Sequence, residues 1–163
     1  KDSAPLREGS TDLETGVVGR SMGPELRAQG LFRDRFVGVA RAGHPLARGR
    51  VTTARYAAGR HLLVSRRGLD AGPVDEAIKP FGPKREIAAT VSGYSAALAI
   101  ARSSDLVATV PERHTGTLRA GMFTFDLPFA VPAITVSLLW HPRMDADPAH
   151  RWLRGCVRDV CRA

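Results

Sequence analysis

Short apolar runs of strand length alternate along this chain with amphipathic segments of helix length. Phe36 to Ala40 (FVGVA), bounded by Gly43 and Pro45, reads as a strand, and Thr52 or Thr53 can cap a short helix running to about Ala58. His61 to Val64 is the next strand. From Asp70 to Phe81, the residues Val74, Ala77, Ile78 and Phe81 share one helical face, which Gly82-Pro83 ends. Ile87 to Val91 and Leu106 to Val110 predict two more strands, on either side of an Ala- and Leu-rich helix from Ser95 to Arg102. The apolar, β-branched run Ile134 to Trp140 is a further strand. Asp147-Pro148 then places an N-cap carboxylate ahead of a proline at the first helical position. Trp152, Leu153, Cys156, Val157 and Val160 recur at three- and four-residue spacings in the helix that follows. Such alternation predicts an α/β fold with a largely parallel sheet.

The remaining segments are weaker. Asp12 to Val18 and Gly30 to Phe32 are faint strand candidates, too few to build a lobe alone. MFTFDLPF, Met122 to Phe129, is extended, but Pro128 and Pro132 bar it from the middle of a sheet, so it reads as a connector. These patterns predict a central lobe over residues 36–123. The flanking stretches 1–35 and 124–163 would join as a second lobe, with two chain crossings between the lobes.

Composition narrows the classes. A chain of 163 residues, 44% hydrophobic and 25% charged, can bury one full core or two small lobes. No apolar run approaches the roughly 18 to 20 residues of a membrane span, and KDSAPLREGS lacks the apolar core of a signal peptide, so a cytoplasmic location is expected. Cys156 and Cys161 lie five apart near one helix end and outside any Cys-x-x-Cys pattern, which suggests neither a disulfide nor zinc. The formal charge of +8 favours anionic partners. However, the arginines are dispersed, Arg66-Arg67 being their only adjacent pair, and aromatics make up only 6%. A nucleic-acid groove needs clustered cations interleaved with aromatics, so direct nucleic-acid binding by this segment is not expected.

Five segments taken in order carry a family resemblance: DLETGVVG (Asp12 to Gly19), LFRDRFVGVARAGHPLA (Leu31 to Ala47), HLLVSRRG (His61 to Gly68), DLVATVPER (Asp105 to Arg113) and VSLLWHPRMDADPAHRWLR (Val136 to Arg154). Together they resemble the effector-binding domain of the LysR-type transcriptional regulators. That resemblance implies a periplasmic-binding-protein type 2 fold, with two α/β lobes, two crossover strands and a small-molecule cleft between the lobes. It implies a regulatory domain rather than an enzyme, without a cofactor, and assembly as a homodimer or homotetramer. Promoter DNA would be contacted by a winged helix-turn-helix that precedes this domain and is absent here. The first strand, first helix and second strand of the family's lobe I would also lie upstream of Lys1, leaving lobe I incomplete.

The candidate chemistry sits at strand ends. In open parallel sheets ligands bind off the carboxyl ends of the strands, where free N–H groups of the next helix favour anions. Val64-Ser65-Arg66-Arg67-Gly68 brings a hydroxyl and two guanidiniums to such an end, and Ser92-Gly93-Tyr94-Ser95 opens the Ala-rich helix. The matching family positions line the cleft. Ser65, Arg66, Ser92 and Tyr94 are therefore the candidate effector contacts, with Val110 and Pro111 as apolar lining, for a small organic acid or aromatic. The bland readings stand beside these: Ser65, Ser92 and Ser95 are equally good caps or turn residues, and Arg66 and Arg67 read more readily as solvated charges than as ligand contacts. His44 and His141, each before a proline, read as turn residues. Trp140 and Trp152 read as lobe I core or interface anchors. Asp145, Asp147 and His150 superficially resemble a metal site, but Asp147 already has a capping role, so no metal is expected.

Two rivals share parts of this pattern. Gly93-Tyr94-Ser95-Ala96-Ala97 approximates the Gly-x-Ser-x-Gly elbow of α/β-hydrolases, with Asp126 and His141 following in the required order. Its fifth position is Ala, and no HGGG-like oxyanion loop is visible. A transport-type solute-binding protein would share the two-lobe fold, but no secretion signal supports it.

Overall fold

The computed structural model describes residues 4–19, 22–65, 71–82 and 84–162. It divides into two compact units, residues 1–34 with 134–163, and residues 35–133. The chain passes between them twice.

In the smaller unit, a short helix α1 (Ala4–Glu8) precedes strands β1 (Leu13–Val17) and β2 (Arg27–Asp34). The larger unit begins with β3 (Phe36–Ala40), α2 (Thr53–Ala57), β4 (Arg60–Val64) and α3 (Pro73–Ile78). It continues with β5 (Glu86–Val91), α4 (Tyr94–Arg102), β6 (Leu106–Pro111) and β7 (Phe123–Asp126). The chain then returns to the smaller unit as β8 (Ile134–Trp140) and α5 (Pro148–Arg162).

The larger unit's sheet has the order β5-β4-β6-β3-β7. Strands β5, β4 and β6 are mutually parallel, whereas β3 is antiparallel to both β6 and β7. The sheet is thus mixed rather than largely parallel. Its inner strands read as near-continuous apolar runs because both faces are covered. Val37, Val39, Leu62, Ala108 and Val110 pack with Ala97, Leu98 and Ala101 of α4. A second cluster gathers Tyr56, Val74, Ile78, Val107, Phe125 and Phe129. Gly38 permits one close approach: a Cβ there would lie 2.3 Å from the ring of Phe125, so a side chain on this residue would expel that ring.

In the smaller unit β8 is the central strand, antiparallel to β1 on one side and β2 on the other. Leu6, Leu26 and Leu139 form its core. The predicted strand from Gly30 to Phe32 is longer than its sequence signal, because pairing with β8 over Arg27 to Asp34 overrides the weak propensity of RAQG.

Three boundaries differ from those predicted. The segment read as a connector supplies β7, which pairs with β3 at the sheet's edge, and Pro128 and Pro132 fall beyond the paired residues. The larger unit accordingly runs to Ala133 rather than to residue 123. Helix α3 begins at Pro73, because the carboxylate of Asp75 accepts the Gly72 N–H at 2.7 Å and so closes the first turn there; Asp70 lies outside the described residues. Finally, α4 begins at Tyr94 with Gly93 as its N-cap, so neither Ser92 nor Ser95 caps it. Both His-Pro turns form as predicted, with His44 Nδ1 accepting the Leu46 N–H and His141 Nδ1 accepting the Arg143 N–H.

Candidate functional site

Because β4, β5 and β6 run in one direction, their carboxyl ends emerge on one side of the larger unit. Val64 lies opposite Val91, and the Ser65 N–H donates to the Val91 carbonyl at 2.9 Å. That bond sets Ser65 beside Ser92. Ser65 is half-buried and Ser92 exposed. The next residue, Gly93, is extended and brings no side-chain acceptor to the N-terminus of α4. The first amide groups of that helix therefore keep the partial positive charge that such ends carry. Tyr94, half-buried, meets the His114 ring edge-on, with centroids 6.0 Å apart and planes at 70°.

Val110 and Pro111 end β6 fully buried, and the Val110 side chain packs into the core behind α4. They support this edge from within. Arg66 lies outside the described residues. Ser65, Ser92 and Tyr94 are thus brought to one end of the sheet, with Val110 and Pro111 behind them.

Charged residues without a sequence signal complete the edge. Arg35 donates to both carboxylate oxygens of Glu112, at 2.5 and 2.8 Å, and to Asp126 at 2.7 Å. The two carboxylates hold its pKa above the usual arginine value. Arg119 ties down the loop after β6, donating to the Glu112 carbonyl at 2.8 Å and to the hydroxyls of Thr115 and Thr124, each at 3.1 Å. Only the four-residue spacing of Thr115 and Arg119 could have been noticed in the sequence. Arg35 and Glu112 are too far apart in the chain for any local pattern.

The larger unit also holds a buried polar cluster. Arg85, its side chain 3% exposed, donates to Asp75 at 2.6 and 3.0 Å. Burial raises the Asp75 pKa, but hydrogen bonds from Arg85 and the Gly72 N–H outweigh it and leave the carboxyl below its ordinary value. The Tyr56 hydroxyl bonds Thr109 at 2.7 Å, and His61 Nε2 donates to the Tyr56 carbonyl, also at 2.7 Å. Burial, aided by the nearby Arg85 charge, lowers the His61 pKa to about 4. His61 is a neutral structural group.

The rival chemistry is not assembled. Ser95 lies within α4, and among the described residues no non-glycine has a positive φ, so the strained turn of a nucleophile elbow is absent there. Asp147 caps α5 by accepting the His150 N–H at 2.7 Å, His150 meets the Asp12 carbonyl at 3.0 Å, and Asp145 accepts from the Trp140 indole at 2.6 Å. Among the described residues no group of three or more His, Cys, Asp or Glu is placed to hold a metal ion, and no helix is long and apolar enough to cross a membrane. Trp140 is buried, whereas Trp152 is 71% exposed and outside the core.

Two mixed α/β units crossed twice by the chain, with strand ends and a helix N-terminus gathered at one edge, define a ligand-binding domain of the periplasmic-binding-protein type 2 class. The chain belongs to the family described as the LysR substrate binding domain, whose model matches residues 4–162. It is 32% identical over 151 residues to the transcriptional activator NagR of Ralstonia, a match covering 88% of this chain and 50% of that protein. Among solved structures, it resembles a probable transcriptional regulator of Pseudomonas aeruginosa at 30% identity and a TM-score of 0.80, covering 96% of this chain and 52% of that one. The regulatory domain of MexT, a transcriptional activator of the same organism, matches at 26% identity and a TM-score of 0.78, covering 95% and 75%. The chain spans about half the length of the curated relatives it matches.

Proposed function

We propose that this chain is the effector-sensing part of a cytoplasmic LysR-type transcriptional regulator, and that it acts by binding rather than by catalysis. The effector is a small organic acid, aliphatic or aromatic. Its carboxylate is received by the Ser65 and Ser92 hydroxyls, the Arg66 guanidinium and the N-terminus of α4, with Tyr94 beside its apolar part. The observation that carries this reading is the Ser65 to Val91 bond, which brings two serine-bearing strand ends together at a helix N-terminus lacking any side-chain acceptor.

A bound effector changes transcription only if its affinity differs between two arrangements of the protein, and coupling of about 1 to 3 kcal/mol is typical of such systems. The arrangement is passed to a preceding winged helix-turn-helix that contacts promoter DNA, in a homodimer or homotetramer. Calorimetric screening of the full-length regulator against small carboxylates tests the site. Hits are expected to weaken at least tenfold in Arg66→Ala and Ser92→Ala. Hits that bind undiminished to both variants would place the effector elsewhere.

A further inference from the structure

The smaller unit, which carries neither Ser65 nor Ser92, has a basic recess of its own. A cavity of about 540 Å³ lies between α5 and the sheet, lined by Ala28, Gln29, Trp140, Arg151, Arg154, Gly155 and Arg158. That volume is within the range of small-molecule sites. Three guanidiniums thus border one space, at helix positions about 4.5 and 6 Å apart along the axis.

Two carboxylates, Asp145 and Asp159, stand against these three guanidiniums. Arg151 donates to the Asp145 backbone carbonyl and Arg154 to that of Met144, while the Arg154 guanidinium lies 4.6 Å from the centre of the Trp140 ring. None of these contacts neutralises a guanidinium. The Asp145 carboxylate is taken by Trp140 and Arg27. Asp159 Oδ1 forms an ion pair with Arg158 Nε at 3.6 Å, too long for a hydrogen bond. That Nε is buried and makes no hydrogen bond, although the Arg158 side chain as a whole is 40% exposed.

Gly155 adds an independent sign. Glycine is a poor residue for a helix interior, yet a Cβ at this position would meet only the end of Arg158, at 4.0 Å. Alanine would fit and would favour the helix. Glycine keeps the floor of the recess open instead.

We infer that this recess binds a small oxyanion carrying two or more negative charges, such as a di- or tricarboxylate or a pyrophosphate group, with Arg151, Arg154 and Arg158 as its cationic wall. The site is independent of the proposed effector contacts, which belong to the other unit. The test is isothermal titration calorimetry of this protein with citrate, pyrophosphate and inorganic phosphate at constant ionic strength.

Citrate or pyrophosphate should bind at one site per chain, at least tenfold more tightly than inorganic phosphate. Arg158→Gln, Arg151→Gln and Gly155→Leu should each weaken that binding tenfold or more, whereas Ser92→Ala should leave it unchanged. Arg151 is exposed, so its variant reports on binding even if Gly155→Leu disturbs the helix. The inference is overturned if neither polyanion binds, if the two arginine variants bind as well as the parent, or if Ser92→Ala abolishes binding.

Discussion

The two units use arginine in opposite ways. In the larger unit Arg85 is withdrawn from solvent and locked to Asp75, where it fixes the start of α3 and sits close to His61. In the smaller unit Arg151 and Arg154 of α5 donate to backbone carbonyls, Arg154 also meets His150 Nδ1, and Arg158 faces Asp159 at 3.6 Å without a hydrogen bond at Nε. A buried guanidinium with a matched carboxylate specifies structure; a row of more exposed ones, only loosely paired, leaves much of its charge available. The same residue type is thus structural in one unit and available in the other.

Removing the carboxylate from the buried pair should have the largest effect on stability. Asp75→Ala strands the Arg85 charge and is expected to destabilise the larger unit by about 3 to 5 kcal/mol in urea unfolding. An unfolding midpoint that barely moved would erase the contrast between the units.

Acid should probe the same cluster through His61. The folded protein holds this imidazole near pKa 4, whereas an unfolded chain leaves it near the ordinary histidine value of 6.5. The unfolded state therefore takes up the proton first. Stability is full above about pH 6.5, falls as the pH drops toward 4, and levels off below it, a loss on the order of 3 kcal/mol. Unfolding measured between pH 7 and 4 should show that slope, and His61→Phe should flatten it.

The smaller unit should respond less. Asp147→Ala removes the cap of α5 and should cost about 1 kcal/mol, read from thermal or urea unfolding. The exposed pair Arg60 with Glu86 should matter least: Arg60→Ala should leave the urea midpoint unchanged within error. An exposed pair that rivalled Asp75 would mean that burial does not separate the two uses of arginine.

Much of the fold is legible in local patterns of the chain. Helix α5 is plain because its cap, its proline and its apolar spacing are all near one another in sequence. The strands β3, β4, β5, β6 and β8 are legible as short apolar runs between turn residues. What stays hidden depends on distant partners. β7 reads as a connector because Pro128 and Pro132 follow it, and no local pattern reveals its edge pairing with β3, far back in the chain. The expectation of a parallel sheet misses that β3 and β7 run against their neighbours, since alternation of strand and helix says nothing about the direction of an edge pair.

At the candidate site, Ser65, Ser92 and Tyr94 are readable from strand ends and a helix start. The Arg35 clamp on Glu112 and Asp126 is not, because it forms only when three strands converge. Nor can the sequence separate Arg85 from the other arginines. Its burial follows from the position of Asp75 one helix away, not from any feature of KREI.

The central position of β8 also sets an order in time. Strands β1 and β2 leave the ribosome before the larger unit, but each finds its antiparallel neighbour in β8, which is made after that unit. The larger unit is continuous from residue 35 to 133 and is complete before β8 appears. Domains fold largely as units during synthesis. The larger unit's sheet can therefore form while β1 and β2, which precede it in the chain, still wait, and the smaller unit closes after it.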